Sequence, residues 1–353
     1  RVKGAGAAPP IPTDDPISPT ARVFRTRAAL LVNSGVLESE YEAPFREGAM
    51  LTVPIVWTTP DGGIPLGVVC LSGRRGGAAF SAGDEKLVAA VGSQIGTAIQ
   101  NARLVRASID QERLASEMRL AHDLQLRLLP PGHAVSPDAI CAARVEAADG
   151  VGGDFYHLFR LGNGRVGVLI GDVSSHGYRA ALIMALVMSA AAIHAQTTAD
   201  PAETVQALLA TVEEELHETE MFLSLCYVVI DRDKGTIRWT NTGHPHAFVI
   251  GADGEAVRLE ATDPPLGLGP EGLHGAQRAW QASDLLVMFT DGVSDARDAR
   301  GAGLGETRVL DVLRARRREV PSRIIDGVFA LVEGHMGRMR PHDDQAVVVL
   351  RTA

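Results

Sequence analysis

Cysteine is scarce in this chain: Cys70, Cys141 and Cys226 are the three among 353 residues. An odd, widely spaced set fits neither a disulfide framework nor a paired CxxC zinc pattern, and it points to a reducing, cytoplasmic setting. No block of lysine and arginine stands out, and the net charge is −9. Both features argue against a nucleic-acid partner. Long apolar runs are missing as well. The longest, residues 180–193, is interrupted by Ser189 and falls short of the roughly 20 residues that a membrane span needs. No signal peptide, nucleophile elbow, cysteine-nucleophile pattern or Walker-type glycine loop is visible. The chain opens on Arg1 rather than Met, as a piece of a longer protein would.

What is present is a recurrent aspartate. Residues 166–170 (VGVLI) read as a buried strand that ends at Gly171-Asp172. Gly152-Gly153-Asp154 lies just upstream, the apolar run 285–289 enters Thr290-Asp291-Gly292, and His342-Asp343-Asp344 leads into the run 346–350. A carboxylate at the mouth of a buried strand needs a cation or strong donors. Four gathered on one rim would repel and hold protons unless cations intervened. An oxygen-only ligand set selects Mg²⁺ or Mn²⁺ over zinc. Two such ions roughly 3.5–4 Å apart can clamp a phosphoryl group for in-line attack. His176 and His244 read either as general acids or as hydrogen-bonded structural histidines, and for each alone structure is the simpler account.

Taken in order, residues 1–20 hold five prolines among Gly and Ala and read as a disordered tail. Residues 50–57 and 65–72 read as paired strands around Asp61-Gly62-Gly63. Ser81 and Asp84 then form the start signal of a helix whose apolar face holds Leu87, Val88, Val91, Ile95, Ala98 and Ile99. Between Gly96 and Pro130 there is no Gly or Pro, so one helix over about 83–129 is expected. Leu104, Ala107, Gln111, Leu114, Met118, Ala121, Gln125 and Leu128 follow a 3-4 spacing, the seam of a dimeric coiled coil with Gln111 and Gln125 as soft spots. Leu120, Leu124 and Leu129 offer a competing face. Beyond Pro131, many strands with a central and a late pair of helices predict an α+β fold, a central antiparallel β-sandwich flanked by helices.

Two resemblances sharpen this. Over residues 21–105, "VPI", "LGVVCLS" and "FSAGDEKLVAAVGSQIGTAIQNARL" resemble the second half of a GAF domain, a partial α/β module that implies a small ligand of unspecified kind. The plainer reading is a small packing or dimerisation domain. Over 117–353, "LAHDLQLRLLPP", "DGVGGDFYHLFRL", "GDVSSHGYRAALIMA", "NTGHPHAFV", "PLGLG", "LLVMFTDGVSDA" and "HDDQAVVVLR" resemble bacterial PPM-type (protein phosphatase 2C-like) serine/threonine phosphatases. The branch is that of the stage II sporulation phosphatase and the stress sigma-factor regulators. The division implied is a tail at 1–20, a GAF-like domain at 21–105, a helical linker at 106–131 and a phosphatase domain at 132–353.

The resemblance implies two divalent cations, Mn²⁺ or Mg²⁺, held by Asp154, Asp172, Asp291, Asp343 and the carbonyl of Val173. Asp344 and Gly292 would support them from behind. It implies a phosphorylated STAS-domain anti-sigma-factor antagonist as substrate. Glu117–Pro131 would contact the phosphatase core. Three departures stand out: His157 in place of a common Asp, Ser175 in place of a Gly, and Gln345-Ala346 in place of a pair ending in Thr. The competing functional reading is a catalytically weak, ligand-responsive scaffold that only binds partners. A hydrolase of small phosphoesters or nucleotides is disfavoured, since no base-binding signature is evident.

Overall fold

The computed structural model describes residues 11–33, 49–59, 62–73, 78–148, 151–174, 177–198, 200–268 and 272–352. They divide into two units, 1–114 and 115–353.

In the first unit, helix α1 (Pro19–Thr26) starts at Ser18, whose hydroxyl accepts the Ala21 N–H, with a proline in the first turn. Asp15 accepts the N–H groups of Ile17 and Ser18, and Arg25 donates back to the carbonyls of Thr13 and Asp15. Residues 11–20 are therefore turned and bonded, which corrects the tail expected over 1–20. The prolines there fix φ at bends and at a helix start rather than keeping the chain open. Residues 1–10 lie outside the described residues.

Strands β1 (Leu30–Val32), β2 (Met50–Thr59) and β3 (Gly62–Ser72) form an antiparallel sheet in that order. Asp61 of the expected turn lies outside the described residues. Helix α2 (Ala82–Leu128) opens with the expected reciprocal cap: the Ser81 N–H donates to Asp84 Oδ2 at 2.7 Å, and the Asp84 N–H to Ser81 Oγ at 3.2 Å. It lies close on β2. A Cβ on Gly92 would stand 3.0 Å from the Pro54 carbonyl, and one on Gly96 2.5 Å from that of Val56, so these two turns must be side-chain-free.

The second unit holds two five-stranded antiparallel sheets. One has the order β11 (Ala276–Ala279), β8 (Thr236–Thr242), β7 (Leu223–Asp231), β6 (Arg165–Val173), β5 (Phe155–Gly162). The other runs β10 (Ala256–Arg258), β9 (His246–Ile250), β12 (Leu285–Phe289), β13 (Gln345–Thr352), β4 (Ala139–Glu146). Alternation along the strands builds the layers. Cys226, Val228 and Ile230 of β7 meet Ala346, Val348 and Leu350 of β13 between the sheets. Leu225, Tyr227 and Val229 face outward under α3 (Tyr178–His194) and α4 (Pro201–Thr219). Val347 and Val349 face outward under α6 (Glu306–Arg316) and α7 (Pro321–Met336). The expected sandwich with helices outside is thus what forms.

Two local expectations change. Asp200-Pro201-Ala202-Glu203 has the spacing of an N-cap, a first-turn proline and a capping-box glutamate, but Glu203 accepts the Thr198 hydroxyl, and the Asp200 N–H goes to that same hydroxyl oxygen. Helix α2 reaches past the unit boundary, so residues 115–131 of the expected linker belong to the second unit. Gln125, assigned above to a coiled-coil seam, is instead buried in that unit, and Leu129 packs among its core residues. Leu120 and Leu124 of the competing face are exposed. No helix among the described residues is long and apolar enough to cross a membrane.

Candidate metal centre

Pairing register puts the aspartates at strand ends. Phe155 lies opposite Gly171, so Asp154, one residue before β5, neighbours Asp172 near the end of β6. In the facing sheet Phe289 lies opposite Val347. Asp291, the first residue of the short helix α5 (Asp291–Ser294), and Asp343, two residues before β13, thereby reach the corresponding end. Val173, the other expected ligand, is the last residue of β6.

Asp154 and Asp172 register the charges around them. Burial pushes the Asp154 carboxyl well above the usual range; the Asp172 charge adds to this, and Asp344 and Asp343 add less. A hydrogen bond from Thr290 opposes the shift. Asp172 is pushed up to about 8, first by burial and then by the charges of Asp291, Asp343 and Asp344, with a hydrogen bond to Asp154 acting the other way. No cation is among the causes of either shift, and the donors of the rim are all hard oxygens, so it fits Mg²⁺ or Mn²⁺. Among the described residues, no three His, Cys, Asp or Glu side chains close on a single point. Water would have to fill much of each ion's shell, as Mg²⁺ commonly retains it.

The rim is braced from behind. Thr290 Oγ1 donates to Asp154 Oδ2 at 2.5 Å and accepts the Ala346 N–H at 2.9 Å, joining the two sheets. Asp344 is 4% exposed and accepts the N–H groups of Ala148 (2.8 Å) and Gly153 (2.6 Å). A Cβ on Gly292 would stand 1.9 Å from the Asp344 carbonyl oxygen, so only glycine fits there. Gln125 grips the same loop from α2. Its Nε2 donates to the Gly152 carbonyl at 2.6 Å and lies 3.0 Å from Met184 Sδ, while its Oε1 accepts the Gly152 N–H at 3.2 Å.

His244 is held as a structural residue: it is buried, and Nε2 donates to the Phe289 carbonyl at 3.1 Å. That bond places the proton on Nε2 and leaves Nδ1 without a partner. Burial lowers its pKa to about 3, with the His246 charge adding to this. Asn241 closes the turn before it: Oδ1 accepts the His244 N–H, and Nδ2 donates to the carbonyls of His244 and Leu259. His157 stacks on Phe159. Ser175 and His176 lie outside the described residues.

One network has no counterpart in the sequence reading. His246 stacks on Phe289, with Nδ1 2.8 Å from Glu306 Oε2 and Nε2 2.9 Å from Ser294 Oγ. Ser294 donates to the Asp291 carbonyl at 3.1 Å, and Arg258 donates to both Glu306 oxygens. Buried at His246 and Ser294 and half-buried at Glu306 and Arg258, this chain of polar groups fixes the direction of the turn that carries Asp291. Its only sign in the sequence was a histidine within the apolar stretch 246–250. Gln125 likewise showed only as a polar residue in an apolar spacing.

The GAF domain family matches residues 3–99, reaching back across the segment expected as a tail. IcfG of Synechocystis sp. is 28% identical over 233 residues, 58% of this chain and 36% of its own length. The phosphoserine phosphatase RsbU of Bacillus subtilis is 25% identical over 251 residues, 68% of this chain and 71% of its own. The chain thus spans about a third of one curated relative and less than three quarters of the other. Among solved structures, the SiaA-PP2C domain of Pseudomonas aeruginosa superposes with a TM-score of 0.62 at 21% identity, over 69% of this chain and all but 2% of its own. The stage II sporulation protein E (SpoIIE) family matches residues 162–353, over half of the chain. With the sandwich and its aspartate rim, that match means the chain belongs to the SpoIIE family, the PPM-type phosphatase branch, and carries a GAF domain ahead of it.

Proposed function

We propose that this protein is a metal-dependent phosphatase of phosphoserine or phosphothreonine in a protein, the observation carrying it being the mutual electrostatic field of Asp154, Asp172, Asp291 and Asp343. In this reading those four carboxylates and the Val173 carbonyl hold two divalent cations, Mn²⁺ or Mg²⁺. The cations would neutralise the rim, polarise the phosphoryl group and lower the pKa of water. The chain's own part is positioning: Thr290 aims Asp154, Asp344 and Gln125 hold the Gly152-Gly153 loop, and Ser294 anchors the turn of Asp291. We place the phosphatase domain at 132–353, braced by α2 from about 115.

The substrate we favour is a phosphorylated STAS-domain anti-sigma-factor antagonist, with a small ligand at the GAF domain and a homodimer through α2 setting the rate. Likeness to RsbU and membership of the SpoIIE family support this choice. The three free thiols accord with a cytoplasmic setting. Because, among the described residues, no three His, Cys, Asp or Glu side chains close on one point, a catalytically weak, partner-binding scaffold is the alternative. Phosphate release with Mn²⁺, from a phosphorylated antagonist and from a panel of nucleotides, separates the readings. Turnover of the phosphoprotein that EDTA abolishes is expected; no release from any substrate leaves the scaffold, and release from nucleotides alone removes the protein substrate.

A further inference from the structure

At the end of the sandwich away from the aspartates, β9 ends, β12 begins and β13 nears its close around a cavity of about 280 Å³. Six residues of extended chain separate Leu285 from Asp291, roughly 20 Å at strand rise. Ile250 and Leu285, both buried, form its floor, and Arg317, Arg318 and Arg351 line it with Ser283. Two of the three guanidinium groups are held by backbone. Arg317 donates from Nε and Nη2 to the Ala252 carbonyl, at 3.3 and 3.2 Å, and from Nη1 to the Arg314 carbonyl at 2.9 Å. Arg351 donates to the Arg317 carbonyl. A carbonyl fixes the direction of a guanidinium but leaves its unit charge uncancelled.

Neighbouring arginines are treated differently. Arg314 pairs with Asp311 and Arg316 with Glu319, whereas among the described residues no carboxylate pairs with Arg317, Arg318 or Arg351. Asp253, Glu255 and Asp284 line a second cavity, which shares only Gly251 and Ala252 with this one. The plain structural account is that cations favour the C-terminus of α6. That end carries only about half a negative charge, against three guanidinium charges. In a chain of net charge −9, a concave site with this surplus is unusual.

We infer that this cavity binds an oxyanion ligand, a small molecule bearing a diphosphate group, at a site separate from the aspartate rim. Planar guanidinium forks match the paired oxygens of a phosphoryl group. The volume lies at the lower edge of small-ligand pockets, roughly 300 Å³ and upward, too small for a folded partner to enter. Such a ligand would tie α6, β12 and β13 together at one point.

Calorimetric titration of the full chain with inorganic pyrophosphate, after dialysis free of divalent ions, tests this. Without cations the aspartate rim repels the probe, so heat reports the arginines. Saturable binding that weakens with added KCl is expected. Affinity should fall about tenfold or more in Arg318→Gln/Arg351→Gln. Arg318→Gln alone, at an exposed position, should fold normally and already weaken binding. Arg160→Gln, outside the cavity, should bind as wild type does. No saturable binding by wild type up to about 10 mM, or equal affinity in wild type and the double variant, would overturn the site. An equal loss with Arg160→Gln would also overturn it, because the attraction would then be to net charge.

Discussion

Asp343 and Asp344 are adjacent in sequence and opposite in circumstance. Asp343 is exposed and accepts the Asp344 N–H, whereas the two oxygens of Asp344 are committed to the half-buried N–H of Ala148 and the buried N–H of Gly153. Asp344→Ala should lower unfolding free energy by about 1–3 kcal/mol in urea titration, since it strands those donors. Asp343→Ala should change stability by less than about 0.5 kcal/mol while removing most Mn²⁺-dependent turnover. Greater loss of turnover in Asp344→Ala would shift the ligand assignment by one residue. Ser294 offers a finer probe. Ser294→Ala removes the contact to His246 Nε2 and one of the two hydrogen bonds to the Asp291 carbonyl, and should raise the Mn²⁺ concentration for half-maximal turnover several-fold. Unchanged Mn²⁺ dependence would make the His246–Glu306 network a packing feature only.

Helix α2 serves two different environments along its length. Leu104 and Leu114 are exposed, as a seam awaiting a partner would be, while Gln125 is buried with three polar contacts in the second unit. Gln125→Leu should therefore not tighten a dimer. It should cost about 1–3 kcal/mol of stability by leaving the buried Gly152 N–H and carbonyl unpaired, with sedimentation unchanged. Leu104→Glu/Leu114→Glu should have the converse outcome: stability of the second unit kept, and any dimer lost in sedimentation. If the leucine pair sediments as wild type does, the exposed face is not the dimer seam.

Across the whole molecule, the aspartate rim makes metal-free stability depend on pH. The Asp172 carboxyl is raised from 3.8 to about 8 in the folded state, so between those values the folded chain holds more protons than the unfolded one. This carboxyl therefore makes stability fall as pH rises through that window. Buried His244, lowered from 6.5 to about 3, acts the other way below about pH 6.5, so the net decline belongs between about pH 7 and 8. Asp172→Asn should flatten this decline, stabilise the metal-free protein at pH 8 and abolish Mn²⁺-dependent turnover. Adding Mn²⁺ to wild type should restore its melting temperature at high pH by mass action. A metal-free melting temperature that rises from about pH 7 to pH 8, above the range in which the buried histidines titrate in the unfolded chain, would contradict the repulsion on which the metal reading rests.

Short-range patterns carried the fold into the sequence. Apolar runs at 223–230 and 346–350 marked strands that the structure buries on both faces, and Ser81-Asp84 and Asp200-Pro201 marked helix starts to within a residue. Strand-end aspartates named the candidate rim, because an Asp after a buried strand has few other uses. Short elements such as β1 and β11 escaped, having three and four residues with no alternation of their own. What tertiary structure alone decided is how the rim is held. Gln125 meets Gly152 across 27 residues, Thr290 meets Asp154 across 136, and Asp344 meets Gly153 across 191. No periodicity encodes such pairs, since each depends on where two sheets and a helix end come to rest, and a seam residue by spacing became a clamp by packing.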